Sequence, residues 1–220
     1  DTVCVHIEGH GYQFGEGVYE NFALGDGSLI DCNLHMERLG RSLSELRIPL
    51  PMSSVALNIA FCGTVRRNRF KTGIVYVQIS QDAARRDHQF PRDDVKPALV
   101  VTARPTLPTS KRVIEEGIAV VSQLDFRGDR CGIKSIALLP NVLIKEAARE
   151  RGAYEALQIY CDGFVMVGGS TKAWIINTKG QLVTRQKKSI LNGIARRRFN
   201  ELAKTGGINV WERLFNLNEA

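Results

Sequence analysis

Polar and apolar positions alternate early in the chain. Residues 18–24 run Val-Tyr-Glu-Asn-Phe-Ala-Leu and predict a strand; Gly25-Asp26-Gly27 is a hairpin turn, and 28–32 is the return strand. Asn33 is placed to cap a helix in which Met36, Leu39, Leu43 and Leu46 recur at helical spacing until Pro49 and Pro51 stop it. Ser53 or Ser54 caps a second helix running to Phe70. Further strands are predicted at 73–80, which alternates as a half-buried strand does, and at 98–103 and 118–122. A helix over 141–151 ends at Gly152. Strands at 154–160, 164–167, 173–177 and 181–184 follow, turned by Asp162-Gly163 and Lys179-Gly180. The last helix covers 194–204 and stops before Gly206-Gly207. Strands and helices occur in mixed runs rather than strict alternation, which predicts an α+β fold. Residues 107–111, Leu-Pro-Thr-Ser-Lys, have loop composition. They divide the chain into a domain at 1–107, a linker at 108–111 and a domain at 112–220.

Composition narrows the function classes. With 220 residues and 44% hydrophobic content, the chain can fill one large core or two small ones. No apolar run reaches the roughly 18 residues of a membrane span. The stretch Asp-Thr-Val-Cys-Val-His-Ile-Glu lacks the layout of a signal peptide, and the dispersed cysteines suit a reducing compartment, so the expectation is a cytoplasmic protein without membrane contact. Cys4, Cys32, Cys62, Cys131 and Cys161 are dispersed, with no paired spacing. They argue against a disulfide framework or a metal site and are read as mostly small buried hydrophobes. The net charge of +7 includes two clusters, Arg66-Arg67-Asn68-Arg69 and Arg196-Arg197-Arg198. Without interleaved aromatics they read as solvated helix faces that favour anionic metabolites, not as a nucleic-acid interface.

Lys134 is the only charged side chain from Cys131 to Leu143. An apolar setting disfavours the ammonium form, and a neutral amine is a nucleophile toward aldehydes. The competing reading is a strand-end lysine whose ammonium reaches water. Arg38 follows the stripe of the first helix and could clamp a phosphate, or sit on the surface. Gly193 stands at a helix start, where the amides of Ile194 and Ala195 can bind an anion. Arg86 and His88 point the same way if their loop is extended, and with the Tyr19 hydroxyl could bind a carboxylate. Gly168-Gly169-Ser170-Thr171 is a tight loop that lets backbone approach a flat ligand, yet matches neither a Walker nor a Rossmann pattern.

Five blocks recur in a familiar order: Gly11-Tyr12-Gln13-Phe14-Gly15-Glu16-Gly17-Val18-Tyr19-Glu20; His35-Met36-Glu37-Arg38-Leu39; Arg86-Asp87-His88-Gln89-Phe90-Pro91; Ile133-Lys134-Ser135 with Asn141-Val142-Leu143; and Leu191-Asn192-Gly193-Ile194. Together they resemble the class IV, or fold type IV, aminotransferases over nearly the whole chain, most nearly the bacterial D-amino-acid branch. The resemblance implies a two-lobed α+β fold, with a small α/β N-terminal lobe and a larger pseudo-barrel C-terminal lobe, the latter incomplete here relative to the family. It implies pyridoxal 5'-phosphate in the cleft between the lobes, a homodimer, and transamination between a D-amino acid of the D-alanine type and a 2-oxo acid. Lys134 then matches the Schiff-base lysine, and Arg38 the phosphate-binding arginine. Gly193, Ile194 and Ala195 match the phosphate-binding helix start, and Leu191 the residue behind the ring. Tyr19, Arg86 and His88 match the group holding the substrate carboxylate in D-specific members. Branched-chain L-amino-acid aminotransferase and aminodeoxychorismate lyase share the scaffold and remain alternatives.

The chain departs from the family pattern at one chemically decisive place. A glutamate normally meets the pyridine nitrogen and keeps it protonated; here Met166-Val167-Gly168 puts Val167 at that position, with no Asp or Glu from Gly163 to Lys172. Lys172, Ala195, His10, Gln81-Asp82 and Gly132 are further departures. A catalytically impaired relative that still binds the cofactor is the remaining alternative.

Overall fold

The computed structural model describes residues 4–92, 94–186 and 190–220, so Asp1, Thr2 and Val3 of the stretch read for a signal peptide lie outside it. The chain forms two compact units. The first comprises Asp1–Pro108 and Ile133–Ala137, the second Thr109–Gly132 and Leu138–Ala220.

The first unit contains, in chain order, α1 (His10–Phe14), β1 (Gly17–Gly25), β2 (Ser28–Leu29), α2 (Cys32–Glu45), α3 (Ser54–Asn68), β3 (Gly73–Gln81) and β4 (Pro97–Pro105). Its four strands form an antiparallel sheet in the order β2-β1-β3-β4. Alternation along β1 buries Val18, Glu20, Phe22 and Leu24. Phe22 and Leu24 pack with Val75 and Val77 of β3 and with Leu57, Phe61 and Val65 of α3. Val18 and Ile79 pack with Leu39 and Leu43 of α2 and with Ile48. Ser53 caps α3, its hydroxyl accepting from the Ala56 amide at 3.3 Å. The segment Ile133–Ala137 is stitched to β1: the Tyr19 amide donates to the Lys134 carbonyl and the Ile136 amide to the Gly17 carbonyl, each at 3.0 Å. Gly17 permits this approach, because a Cβ there would lie 2.7 Å from Ile136 Cδ1 and 2.8 Å from Ser80 Cβ.

The second unit adds α4 (Lys111–Glu116), β5 (Val120–Leu124), α5 (Leu139–Glu150), β6 (Glu155–Ile159), β7 (Val165–Gly168), β8 (Trp174–Ile176), β9 (Leu182–Thr184), α6 (Ile194–Thr205) and β10 (Val210–Glu212). Two three-stranded sheets result, β5-β6-β7 and β10-β9-β8. Each mixes one parallel and one antiparallel pairing. Ile159, Val165, Val183 and Phe215 form one core; Ile144 and Ala148 of α5 close on Ala156 in another.

Several expectations need correction. The return strand is only two residues long, because Asp26 and Gly27 both take positive φ in a tight turn and Asp31, at φ 55°, swings the chain into α2. Asp31, not Asn33, is therefore the N-cap, and Cys32 is helical. The strand expected at 118–122 begins at Val120, after Gly117 at φ 76°. Short α1, α4 and β10 carry too little periodicity to be legible. The cysteines are not buried hydrophobes: Cys4, Cys62 and Cys161 are exposed and Cys32 and Cys131 partly so, all with free thiols. Arg196 is no solvated face either; it turns inward and only 2% of it is exposed, whereas Arg197 and Arg198 stay outside. Among the described residues no helix is long and apolar enough to cross a membrane.

Phe61 is fully buried between α3 and the first sheet and meets the Phe22 ring at 5.3 Å. Phe61→Ala should lower the unfolding free energy by about 3–5 kcal/mol, measured by urea denaturation.

Candidate active site

β1 carries a carboxylate on its buried face. Glu20 has no solvent exposure, a position that a charge holds only when paired and hydrogen-bonded. Its partners come from α2. Arg38 donates from Nε to Oε1 at 2.7 Å and from Nη2 to Oε2 at 2.6 Å, and His35 Nδ1 lies 2.7 Å from Oε2. His35 and Arg38 are three residues apart in one helix, so both reach one point on the strand. Burial alone would raise Glu20, but the hydrogen bonds from Arg38 and His35 outweigh it and hold the carboxyl below its ordinary value of 4.5.

Lys134 stands beside this cluster. Its backbone is fixed by the Tyr19 amide and by its own amide donating to Ser42 Oγ at 3.3 Å. Its Nζ lies over the Tyr19 ring, 4.0 Å from the centroid. Burial, then the nearby Arg38 guanidinium, push its pKa from 10.5 down to about 8, with Glu20 pulling the other way. A substantial fraction of the amine is thus neutral near physiological pH and nucleophilic. The Tyr19 hydroxyl is pushed up by burial and by Glu20, so it stays protonated and can donate. Glu20, His35 and Ser42 were not singled out from sequence. For Glu20 a signal existed: it shares the apolar face of β1 with Val18, Phe22 and Leu24.

Arg86 and His88 are brought together, on Phe14. The Arg86 guanidinium sits 5.0 Å from that ring's centroid and the His88 ring 5.6 Å from it. Both residues are exposed. Among the described residues no hydrogen bond or ring contact joins either to Tyr19, whose ring stacks on Tyr76 at 5.7 Å.

In the second unit Val167 is buried with Met166 and Ile190. The glycine loop after it folds around the Glu155 carboxylate. Ser170 Oγ and Thr171 Oγ1 donate to Glu155 Oε2 at 2.9 and 3.2 Å, and the Ala156 amide to Oε1 at 2.9 Å. A Cβ on Gly169 would come within 2.8 Å of Glu155 Oε1, which explains the glycine. α6 begins at Gly193, buried, with no side chain capping the helix. Leu191 is partly buried, Ile194 buried and Ala195 exposed. The uncapped first-turn amides of Ile194 and Ala195 suit an anion. A Cβ on Gly193 would lie 3.2 Å from Lys172 Cε, so a lysine stem passes the same helix start.

Removing the Glu20 charge isolates a largely buried guanidinium. Glu20→Gln should cost about 3–5 kcal/mol of stability. Because Glu20 is held below 4.5, its contribution is full above that value and lost as pH falls through the folded-state pKa. The variant should therefore lose less stability than the parent on acidification below pH 4.5, read from urea unfolding at a series of pH values.

Comparisons with known proteins agree on one family. The profile of the class IV amino-transferases matches residues 17–220. D-alanine aminotransferase of Bacillus licheniformis is 33% identical over 216 residues, covering 98% of this chain and 75% of that relative. Among solved structures, the branched-chain amino acid aminotransferase of Escherichia coli superposes with a TM-score of 0.87 at 22% identity, over 98% of this chain and 74% of that one. A putative 4-amino-4-deoxychorismate lyase of Legionella pneumophila gives 0.87 at 21%, over 99% and 79%. The fold is fold type IV, and the family's cofactor is pyridoxal 5'-phosphate. This chain belongs to the class IV aminotransferases.

Proposed function

We propose that the chain catalyses transamination between a D-amino acid of the D-alanine type and a 2-oxo acid, with Lys134 as the residue that binds the cofactor covalently. The observation that carries this reading is the Lys134 amine, lowered to about 8 and set over the Tyr19 ring. Bound at Lys134, pyridoxal 5'-phosphate supplies a conjugated ring that accepts the electron pair left when a Cα proton is removed. Once the substrate amine has displaced it from the cofactor, the freed Lys134 Nζ would be the base that takes this proton from Cα and returns it to the cofactor carbon on the far side of the substrate nitrogen. Arg38 and the amides of Ile194 and Ala195 bind the phosphate, with Gly193 giving it room and Leu191 packing behind the ring. Tyr19, Arg86 and His88 hold the substrate carboxylate, and the enzyme works as a cytoplasmic homodimer.

The lowered lysine is suited to an aldehyde, and the uncapped helix start, taken by itself, is suited to a phosphate. The ring-nitrogen end is different, since Val167 is apolar and buried. The preference for D-amino acids is supported by D-alanine aminotransferases such as that of Bacillus licheniformis, which match at 33–35% identity over nearly the whole chain. The branched-chain and lyase structures resemble the chain as closely in fold, at 21–22% identity. A second reading is a cofactor-binding relative with little turnover; Val167 favours it, because a valine cannot accept a hydrogen bond from a protonated ring nitrogen.

Borohydride reduction of the protein loaded with pyridoxal 5'-phosphate, followed by peptide mapping, should place the label on Lys134, and Lys134→Ala should abolish it. D-alanine with 2-oxoglutarate should turn over faster than L-leucine or aminodeoxychorismate. Faster turnover of L-leucine contradicts the roles of Tyr19, Arg86 and His88. Val167→Glu should raise turnover; a parent protein that is labelled at Lys134 but inert with every amino acid favours the second reading.

A further inference from the structure

The short helix α1 carries two rings on one face. His10 and Phe14 are four positions apart, and their rings meet edge to face at 4.9 Å. His10 is buried, with only 1% of it exposed. Backbone bonds tie the start of this helix to the chain that leaves β3. Gly9 and Ala83 pair across an antiparallel bridge, the His10 amide donates to the Asp82 carbonyl at 3.3 Å, and the Ala84 amide to the Glu8 carbonyl at 3.2 Å. Gly11 lets the helix lie against β3, since a Cβ there would come within 2.5 Å of Ser80 Cβ. At Arg85 a side chain adds to these bonds. His10 Nε2 lies 3.1 Å from the Arg85 carbonyl oxygen, and Nδ1 lies 3.1 Å from Glu16 Oε2. A carbonyl accepts and never donates, so Nε2 carries a hydrogen here. The Glu16 carboxylate accepts as well, so a ring with a hydrogen on each nitrogen satisfies both. One residue further on the loop reaches Arg86, and then His88, which rest on the Phe14 ring that His10 itself supports. All of these residues belong to the first unit.

We propose that His10 is a positioning residue for substrate binding: its Nε2–H holds the Arg85 carbonyl and so sets Arg86 and His88 where they receive the substrate carboxylate. The inference rests on the carboxylate-binding role given to Arg86 and His88 above. Both residues are exposed and lie on a loop, and a loop that must be ordered when the ligand arrives spends binding energy on that ordering. His10 meets that cost in advance at two points, the base of the loop through Nε2 and the Phe14 platform through its ring. The sequence singled out His10 only as a departure from the family pattern. Its signal is the spacing to Phe14, which acquires meaning once the five residues of α1 are helical.

The test uses the full chain and separates the two ring nitrogens. His10→Gln keeps a donor near the place of Nε2 and gives up the bond to Glu16; His10→Asn keeps a donor near the place of Nδ1 and gives up the bond to Arg85. Limited trypsin digestion, with cuts mapped by mass, reads the loop at Arg85 and Arg86. His10→Asn should be cut there about threefold to tenfold faster than the parent, and His10→Gln at the parent rate. With pyridoxal 5'-phosphate loaded, His10→Asn should raise KM for D-alanine by a similar factor with little change in kcat, and His10→Gln should restore the parent KM. Thermal unfolding checks that both variants fold, and nitrogen-15 NMR of the parent should find a hydrogen on His10 Nε2. An Nε2 without hydrogen, or equal cutting of the two variants, overturns the role of His10. Cleavage and NMR need no turnover, so they decide that role even in an inert chain. Faster cutting of His10→Asn with an unchanged KM overturns the carboxylate role of Arg86 and His88 instead.

Discussion

A carboxylate removed from water persists as a charge only if its surroundings replace the hydration it has lost. Glu20 meets that condition through two side chains of one helix, Arg38 and His35. The consequence reaches beyond the pair. β1 and α2 are held in one relative position, and the same strand carries the Lys134 segment through backbone bonds at Gly17 and Tyr19. The lysine is thus set beside a cation that lowers its pKa and a carboxylate that partly opposes the effect. Burial, the largest cause, is itself a product of this packing. The reactivity of Lys134 is therefore a property of the first unit as a folded body rather than of the lysine alone.

The second unit contains a parallel arrangement with a different outcome. Glu155 is also buried, and it is satisfied by the loop after β7 and by Lys145, whose Nζ lies 3.3 Å from Oε1. That carboxylate is structural: it wraps the glycine loop and holds the end of β7 where Val167 sits.

Much of the fold was legible because periodicity was strong where packing is strong. The strands at Gly17–Gly25 and Gly73–Gln81 and the helices α2, α3, α5 and α6 follow alternation or helical spacing, since each buries one face. The five-residue α1 and the three-residue β10 bury too little to leave a pattern. Arg196 was misread because three consecutive arginines look uniform in sequence, while a helix turns them about 100° apart per residue and one must face inward. At the site, Lys134 was legible from its isolation among apolar residues. Glu20 left a signal on the apolar face of β1, but its pairing with His35 was not legible, because it depends on a meeting of strand and helix fifteen residues apart.

The most direct test of this account is the titration of one amine. Carbon-13 NMR of the Lys134 Cε in the cofactor-free protein, assigned by its loss in Lys134→Met, reports the charge on Nζ against pH. The account predicts a midpoint near 8, well below the exposed lysines. A midpoint at or above the ordinary 10.5 would contradict it.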